Sequence, residues 1–519
     1  MAVSAFAEHG ISRALQLTAE VVRELYLEDD VPWVIGYSGG KDSTAVVQLV
    51  WMAISDIPAP QRHKPVHVIT TDTLVENPIV SAWVERSLKV MAESAAEQAM
   101  PFVPQMLKPD VSESFWVNLI GKGYPAPRHK FRWCTERLKI KPSSRYIQDV
   151  ANQHGEVILL LGARRAESAG RAARLDRRER ISKNLLSAHP ELVNTLIFMP
   201  IESWTNDDVW TFLLRFQNPW GHSNKELMAL YRGATEDNEC PVVVDTSTPS
   251  CGNSRFGCWV CTLVDQDKSM TAMIRNDVDK EWMLPLLSLR NELDFRSPEA
   301  LAKERERRDF RRMNGGLTLY DAGQDEVQLV PGPYTQEARA YWLRRLLETQ
   351  REIQTNPETP ESVRELQLIS VEELEEIRRI WVKDKMDVED LVPLIYEKEI
   401  GAAYPAGPID EALVFDREAL GLLKAECGDD PCLYEVTRNL LETTRRYRSK
   451  ATRRGLYESM EKVISRGYFE GRDDALAWAK QLRSLKIADH AEVGVEESSE
   501  DLEAATVVDL EARLSETAR

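Results

Sequence analysis

The sequence SGGKDS occupies Ser38–Ser43, directly after the apolar run VPWVIGY at Val31–Tyr37. A short apolar run of this kind is typical of a buried strand. The residues that follow the loop, TAVVQLVWMAI at 44–54, have the length and apolar content of a helix. Strand, glycine turn and helix in this order open a nucleotide-binding α/β unit, so this stretch predicts the fold class of the chain.

The same six residues have the chemistry of an anion-binding loop. Gly39 and Gly40 allow a sharp turn and a close approach of the backbone to a ligand. Amides at the start of the following helix converge on an anion. Lys41 adds a positive charge for phosphate, and Ser38 and Ser43 add hydroxyl donors. A chance glycine turn is the alternative interpretation, and the agreement of loop, strand and helix argues against it. The Walker pattern G-x-x-x-x-G-K-[ST] is a different motif.

Two further strands are predicted around this unit. Val66–Thr71 (VHVITT) ends at Asp72, and Val157–Gly162 (VILLLG) is followed by Arg164. Because helical patterns separate these runs, we expect a doubly wound parallel sheet. Ligands of such sheets bind at the carboxyl ends of the strands. Ser38, Asp72 and Arg164 are therefore predicted to meet there.

Four of the seven cysteines lie within 22 residues, in the spacing C-x10-C-x6-C-x2-C. Four thiolates suit zinc or an iron–sulfur cluster. Structural zinc sites more often have two C-x2-C pairs, and this stretch has one. The glycines and aromatic residues around it (SCGNSRFGCWVCT) favour a [4Fe–4S] cluster, with zinc or unligated thiols as alternatives. The predicted ligands are Cys240, Cys251, Cys258 and Cys261.

Composition sets limits on the kind of protein. The 519 residues carry 66 basic and 84 acidic side chains, for a formal charge of −18. This charge argues against a general nucleic-acid coat, although one local basic groove for DNA remains compatible with it. No apolar run is long enough for a membrane span, and no basic secretory leader is present at the N-terminus. We expect a cytoplasmic protein.

Changes in composition along the chain predict four segments. The nucleotide-binding domain is expected at 1–217, and a Cys-, Pro- and Gly-rich iron–sulfur segment at 218–334. A charged helical accessory domain is expected at 335–490, and an acidic tail without a fixed structure, apart from one short helix at its end, at 491–519.

SGGKDS resembles the PP-loop of ATP pyrophosphatases, and the motifs around it narrow the resemblance. They are DTLVENP from Asp72, RWCTERLKIKP at 132–142, GARRAESAGR at 162–171 and PIESWTNDDVW at 200–210. Together they resemble the phosphoadenosine phosphosulfate (PAPS) reductase branch of PP-loop proteins over about residues 30–215. The resemblance implies an adenine-nucleotide α-hydrolase fold and cleavage of ATP between its α and β phosphates.

The resemblance also assigns roles to residues. Lys41, Asp42 and Arg164 would be catalytic. Asp72 would lie near the adenosine, and basic residues would line the anionic groups together with the loop. The nucleotide-binding set is Ser38, Gly39, Gly40, Lys41, Asp42, Ser43, Asp72, Arg137, Lys139 and Arg171. Glu167 is a candidate to position a metal or a water, or to complement a helix dipole.

The cysteine spacing after such a domain resembles the DndC family, the sulfur-inserting subunits of bacterial DNA phosphorothioation systems. That resemblance implies a [4Fe–4S] cluster, ATP with Mg²⁺, and replacement of a non-bridging phosphate oxygen of DNA by sulfur. The implied partners are a cysteine desulfurase, which supplies sulfur and helps to build the cluster, an ATPase subunit, a small DNA-binding subunit and DNA itself. Two alternatives stay open: a sulfonucleotide (PAPS/APS) reductase-like enzyme and a tRNA thiolation enzyme.

Three cysteines lie outside the cluster motif. Cys134 stands alone where cluster-bearing reductases have two adjacent cysteines, so it is either a persulfide carrier or a structural thiol. Glu426–Gly428 (ECG) resembles the catalytic tail of reductases, but about 90 residues follow it. We therefore interpret Cys427 and Cys432 as structural.

Two basic runs are candidates for tracking DNA phosphates. They are ERERRDFRRM at 304–313 and RRYRSKATRR at 445–454. A solvated helix face, or a contact with an acidic partner, is the alternative interpretation of both.

Overall fold

A computed structural model describes most of the chain, which folds into two compact units. Unit 1 comprises residues 1–115, 127–293 and 352–366, and unit 2 comprises 116–126, 294–351 and 367–519. The predicted boundaries at 217, 334 and 490 stay predictions. The described residues are 3–129, 131–167, 172–173, 185–235, 256–313, 315–323, 326–387, 389–407, 409, 417–428, 430–448, 453–467, 469, 471–493 and 507–508.

Unit 1 is built on a six-stranded, mostly parallel sheet in the order β3-β2-β1-β4-β6-β5. Neighbouring strands run parallel, except that β5 is antiparallel to β6. The α/β class and the parallel arrangement predicted from the sequence are confirmed. The strands are β1 (Trp33–Gly36), β2 (Val66–Thr71), β3 (Phe102–Leu107), β4 (Val157–Leu160), β5 (Leu186–Ala188) and β6 (Thr195–Phe198).

Both faces of this sheet are covered. Trp33 and Ile35 of β1 belong to a large core cluster, whereas Val34 between them belongs to a second cluster on the opposite face. Alternate side chains of a strand point to opposite faces, so a strand covered on both sides reads as a continuous apolar run. This is why β1 was recognisable in the sequence.

β3 was not predicted, and its composition explains why. It contains Pro104, which lacks the amide hydrogen that a ladder needs and is tolerated at an edge. β3 is the edge strand of the sheet, paired only with β2 among the described strands. The short strands β5 and β6 were missed as well.

The described helices follow the predicted alternation in unit 1 and dominate unit 2. Helix α2 begins at Lys41, directly after the glycine loop. The helices are α1 (Gly10–Glu28), α2 (Lys41–Ser55), α3 (Pro78–Glu97), α4 (Lys141–His154), α5 (Asn206–Arg215), α6 (Asn224–Gly233), α7 (Lys268–Asn276), α8 (Leu284–Glu292), α9 (Pro298–Glu306), α10 (Gln336–Thr355), α11 (Val371–Arg379), α12 (Leu391–Ile400), α13 (Arg417–Cys427), α14 (Pro431–Arg448), α15 (Leu456–Arg466) and α16 (Arg472–Val493).

Unit 2 also contains a small sheet of β7 (Leu317–Gly323), β8 (Glu326–Leu329) and β9 (Val507–Val508), in the order β8-β7-β9. β9 comes from the segment that was expected to have no fixed structure. It pairs antiparallel with the start of β7. The rest of that tail after residue 493 lies outside the described residues.

The arginines of the two basic runs make contacts within unit 2. Arg308 pairs with Glu304 at 3.0 Å, and Arg307 lies over the ring of Tyr341 at 4.2 Å. Arg445 and Arg446 both pair with the carboxylate of Glu442, which is fully buried. Arg308, Arg445 and Arg446 therefore each have an acidic partner within this unit.

No helix in the described ranges is both long enough and apolar enough to cross a membrane.

An ion pair in unit 2 is almost fully buried. Arg339 Nη2 lies 2.8 Å from Asp387 Oδ2, and the two side chains are 4% and 3% exposed. Burial raises the pKa of Asp387 and lowers that of Arg339, although each partner opposes the shift of the other. Desolvation therefore outweighs the attraction, as is common for buried pairs.

We expect Asp387→Asn to lower the free energy of unfolding by about 3 kcal/mol, because it leaves the charge of Arg339 uncompensated. The double variant Arg339→Met/Asp387→Leu should recover most of this loss. Denaturant unfolding measures both. Glu458→Gln is the control, since it breaks an exposed pair with Lys462 that contributes little to stability. A single variant as stable as the control would contradict the expectation.

Candidate functional site

The glycine loop lies at the carboxyl end of β1 and is braced by its own serines. Ser43 Oγ accepts from the amide of Ser38 at 3.1 Å and donates to the carbonyl of Gly40 at 3.0 Å. Gly39 has φ +70°, and a Cβ there would clash with the side chain of Val84. Both the backbone conformation and the lack of space therefore require glycine at this position.

The three predicted catalytic residues meet beside this loop. Arg164 Nε lies 2.7 Å from Asp42 Oδ1, and Lys41 Nζ lies 3.4 Å from Asp42 Oδ2. Lys41 is 6% exposed and Arg164 is 3% exposed. Burial lowers the pKa of Lys41, and the charge of Asp42 opposes that shift. The result is a buried cluster of two cations and one carboxylate at the first turn of α2.

Arg164 reaches the loop because of the turn after β4. Its guanidinium also donates to the carbonyl of Trp204 at 3.2 Å. Glu167 accepts from the amide of Arg164 at 3.0 Å, so its carboxylate stabilises the turn. This contact agrees with the interpretation that Glu167 complements the helix dipole, because its carboxylate accepts from a backbone amide at the start of a short helical turn.

Gly162 allows the close approach of the two loops. A Cβ at this position would lie 3.0 Å from the backbone carbonyl carbon and oxygen of Asp42, and 3.2 Å from the amide of Ser43. Because these neighbours are backbone atoms at the start of α2, they cannot move aside as a flexible side chain would.

Asp72 lies at the end of β2, as predicted, and lines a cavity of about 480 Å³ at the carboxyl end of the sheet. Its Oδ1 accepts from the amide of Leu74 at 2.9 Å. Burial raises the pKa of Asp72. Other residues that line the cavity include Ser38, Glu76, Lys139, Ser143 and Phe256. The volume is in the range of small-molecule pockets.

Of the basic residues predicted to bind the nucleotide, the cavity lining includes Lys139 but not Arg137. Lys139 lines the cavity, and its Nζ lies 3.1 Å from Glu76 Oε1. Arg137 pairs with Glu113 at 3.2 Å. Both are on the π-helix Thr135–Ile140 that leads into α4. Arg171 lies outside the described residues.

Two of the four candidate metal ligands, Cys258 and Cys261, are described. They form a tight turn in which the amide of Cys261 donates to the carbonyl of Cys258 at 3.1 Å. The turn is joined to the loop after β2 by the Trp259 amide, which donates to the carbonyl of Val75 at 2.9 Å, and by an antiparallel bridge between Cys258 and Glu76. This C-x2-C pair is thereby held at the same end of the sheet as the cavity.

The surroundings of Cys258 are polar. Its Sγ lies 3.3 Å from Thr73 Oγ1 and 3.8 Å from Glu76 Oε1. Burial and the charge of Glu76 raise the pKa of Cys258 to about 12. Burial alone would lower the pKa of Lys139, but the charges of Cys258 and Glu76 together raise it. A thiol and an ammonium group thus influence one another beside the cavity.

Cys134 lies close enough to Cys261 for the two thiols to interact electrostatically. Burial is the main cause that raises the pKa of Cys134, and Cys261 adds to it. Cys134 directly precedes the π-helix Thr135–Ile140. Whether it carries a persulfide stays a prediction.

Cys240 and Cys251 lie outside the described residues. Within the ranges that are described, no three His, Cys, Asp or Glu side chains are close enough to hold a metal ion. The four-cysteine site therefore stays a prediction, of which the structure describes one half.

Sequence reasoning missed two contributors to the site. Glu76 is part of the DTLVENP motif but was not singled out, although it contacts both Lys139 and Cys258. Tyr231 accepts a hydrogen bond from the amide of Lys41 and is 190 residues away from it. A lone tyrosine at that separation carries no sequence signal for such a contact.

The sheet and the site described above lie in a part of the chain that matches a known family. The Phosphoadenosine phosphosulfate reductase domain matches residues 32–263. This span includes β1, the glycine loop, Asp72, Arg164 and the C-x2-C turn. Residues 32–263 are a PAPS reductase-like domain.

A curated relative matches part of the same chain. It is an uncharacterised protein of Methanocaldococcus jannaschii, 27% identical over 199 residues, which are 38% of this chain and 35% of that protein. The match spans about a third of the length of the curated relative, and its name gives no activity.

Solved structures show lower similarity. The PAPS reductase of Candida auris, in a phosphate complex, is 15% identical over 41% of this chain and 89% of that chain, with a TM-score of 0.25. The U34-tRNA thiolase NcsA of Methanococcus maripaludis, with its [4Fe-4S] cluster, is 14% identical over 54% of this chain and 79% of that chain, with a TM-score of 0.24. TM-scores this low carry no argument about the fold. The description of residues 32–263 therefore rests on the family match.

We expect Gly162→Ala to destabilise unit 1 by roughly 1–3 kcal/mol, because the added methyl group would push against the backbone of Asp42. Thermal unfolding measures the loss. Gly233→Ala is the control, since a Cβ there would meet only the end of Lys280 at 3.8 Å. Equal melting temperatures for the two variants would contradict the close approach.

Proposed function

We propose that this protein is the sulfur-inserting subunit of a DNA phosphorothioation system. It would cleave ATP to AMP and pyrophosphate in order to activate a backbone phosphate oxygen of DNA for replacement by sulfur. The proposal goes beyond the PAPS reductase-like domain in naming DNA as the substrate. It is supported by the order of the motifs, the intact loop and the cysteine spacing.

One observation carries the proposal: Glu76 lines the cavity and also contacts the cysteine turn. The cavity begins at Ser38 of the loop and is lined by Lys139 and Glu76. Glu76 in turn contacts Cys258. An enzyme that activates an oxygen with ATP and then replaces it with sulfur needs both kinds of chemistry close together.

A phosphate oxygen is a poor leaving group. Adenylation makes it a good one, because the oxygen then leaves as part of AMP. The substrate oxygen attacks the α-phosphorus of ATP, a new P–O bond forms, and the bond to the β-phosphate breaks with loss of pyrophosphate. A sulfur nucleophile then attacks the substrate phosphorus, and AMP leaves with the original oxygen. The loop amides, Lys41 and Arg164 stabilise the developing negative charge, with Asp42 holding the two cations in place.

We assign Cys258 and Cys261 to an iron–sulfur ligand set. Cys258 and Cys261 are presented on one turn, Cys134 lies near Cys261, and Lys139 is placed to favour thiolates electrostatically. Together with Cys240 and Cys251, the pair Cys258 and Cys261 would hold a [4Fe–4S] cluster, which would supply iron–sulfur chemistry for handling sulfide. Arg290, buried in α8, donates to the carbonyl of Cys261 at 2.9 Å and so steadies the turn.

The proposal includes partners. A cysteine desulfurase would supply sulfur and help to assemble the cluster, and an ATPase subunit and a small DNA-binding subunit would complete the system in the cytoplasm. Because this chain carries a formal charge of −18, DNA is expected to bind within that complex.

A sulfonucleotide reductase is the second candidate, favoured by the family match. It would use the same fold for redox chemistry without cleaving ATP. Such an enzyme needs a catalytic cysteine that can reach the nucleotide. Cys427 of the ECG sequence is buried at the end of α13, which does not suit that role. A tRNA thiolation enzyme would share the adenylation step and would modify RNA instead.

We expect the anaerobically purified protein, with Mg²⁺-ATP, partners and DNA, to release AMP and pyrophosphate. Lys41→Ala should lower this rate roughly 100-fold, because one preorganised cation is lost. Chromatography of the nucleotide products measures both. Lys462→Ala, at an exposed lysine, is the control. Release of ADP and inorganic phosphate would contradict the PP-loop mechanism, and no ATP cleavage with intact sulfonucleotide reduction would favour the reductase.

We expect Cys258→Ser to lower the iron content of the anaerobically purified protein and to abolish phosphorothioate dinucleotides in the DNA of a host that carries the whole system. Metal analysis and mass spectrometry of digested DNA measure the two effects. Cys432→Ser is the control, because this cysteine lies outside the motif. A colourless wild-type protein with one zinc would contradict the cluster, and unchanged DNA with thiolated tRNA would favour the RNA enzyme.

A further inference from the structure

Tyr231, on α6, lies against the glycine loop although it belongs to none of the motifs. Its hydroxyl oxygen accepts a hydrogen bond from the amide of Lys41 at 3.3 Å. A Cβ on Gly40 would lie 3.1 Å from the same oxygen, and Lys41 Nζ lies 5.4 Å from the centre of the ring. The hydroxyl is therefore in contact with the two residues at which α2 begins.

The ring of Tyr231 is held rigidly. It is 6% exposed and packs edge-on against Trp210, with centroids 5.1 Å apart, and against Phe256, with centroids 4.8 Å apart. Phe256 also lines the cavity. A tyrosine fixed in this way directs its hydroxyl to one place at little entropic cost on binding.

The hydroxyl group of Tyr231 can donate one more hydrogen bond. It accepts from Lys41, and a tyrosine hydroxyl can also donate its own hydrogen. Over the described ranges, no residue takes up that hydrogen. Burial raises the pKa of Tyr231, so the group stays a neutral donor across the physiological range.

We propose that Tyr231 is a phosphate ligand of the glycine loop, which holds the amide of Lys41 through its oxygen and donates its own hydrogen to the pyrophosphate end of ATP. This inference rests on the proposed function, since it requires ATP at Ser38–Ser43. It adds a donor from α6 to the donors of the loop itself and of the start of α2. Donors placed in advance cost no reorganisation when the charge develops.

The test is ligand binding to the anaerobically purified full chain by calorimetry, with three probes: Mg²⁺-ATP, inorganic pyrophosphate and adenosine. Tyr231→Phe removes only the oxygen. We expect the dissociation constants of Mg²⁺-ATP and pyrophosphate to rise about tenfold, the effect of one hydrogen bond, and that of adenosine to stay unchanged. Tyr457→Phe, at a tyrosine that is 84% exposed, is the control and should bind all three probes like the wild type.

A second variant keeps the inference testable if Tyr231→Phe folds poorly. Gly40→Ala has an ordinary φ, and its methyl group would crowd the hydroxyl at 3.1 Å. We expect it to weaken pyrophosphate binding at least about tenfold. In the double variant, where the hydroxyl is absent, the combined loss should be smaller than the product of the two single losses, as expected for groups in contact.

The outcomes separate the two claims. If the wild type binds Mg²⁺-ATP and pyrophosphate but Tyr231→Phe binds them equally well, the role of Tyr231 is overturned and the proposed function stands. Equal losses for adenosine and pyrophosphate, or independent losses in the double variant, overturn it too. If the wild type binds neither phosphate probe, the proposed function itself is wrong.

Discussion

The ion pair between Arg164 and Asp42 is the interaction on which the site depends. Arg164 follows β4, Asp42 lies in the first turn of α2 after β1, and the two strands are neighbours in the sheet. Because Arg164 is almost fully buried, its charge requires a partner close by. The pair therefore ties the turn after β4 to the glycine loop and fixes the position of this buried positive charge.

A carboxylate also connects separate elements at the cysteine turn. Glu76 accepts from Thr73, pairs with Lys139 and contacts Cys258, so one carboxylate connects the end of β2, the π-helix before α4 and the C-x2-C pair. Two carboxylates, Asp42 and Glu76, thus hold three cations, Lys41, Arg164 and Lys139, at the carboxyl end of the sheet. The Glu76–Lys139 pair is balanced in charge, whereas the cluster around Asp42 has two cations for one carboxylate, an excess of positive charge that suits an anionic ligand.

Predictability differed between elements for physical reasons. β1 and β4 were recognisable because strands covered on both faces are continuous apolar runs, and α2 because it follows a glycine loop. β3 was missed because Pro104 obscures an edge strand. Among candidate residues, Lys41, Asp42 and Arg164 were predicted and do meet. Tyr231 was not predicted, since its contact with Lys41 depends on how α6 packs.

By itself, the sequence determined the class of the domain, the glycine loop, the end of β2 at Asp72 and the pairing of Cys258 with Cys261 in one short turn. These features are local, because they depend on residues a few positions apart and on periodicity along one strand or helix. Only the tertiary structure decided that the C-x2-C turn joins Glu76, that Gly162 must leave room for Asp42 and that Tyr231 reaches Lys41. Such contacts join residues about 120 to 190 positions apart in the chain, and packing of the elements brings them together.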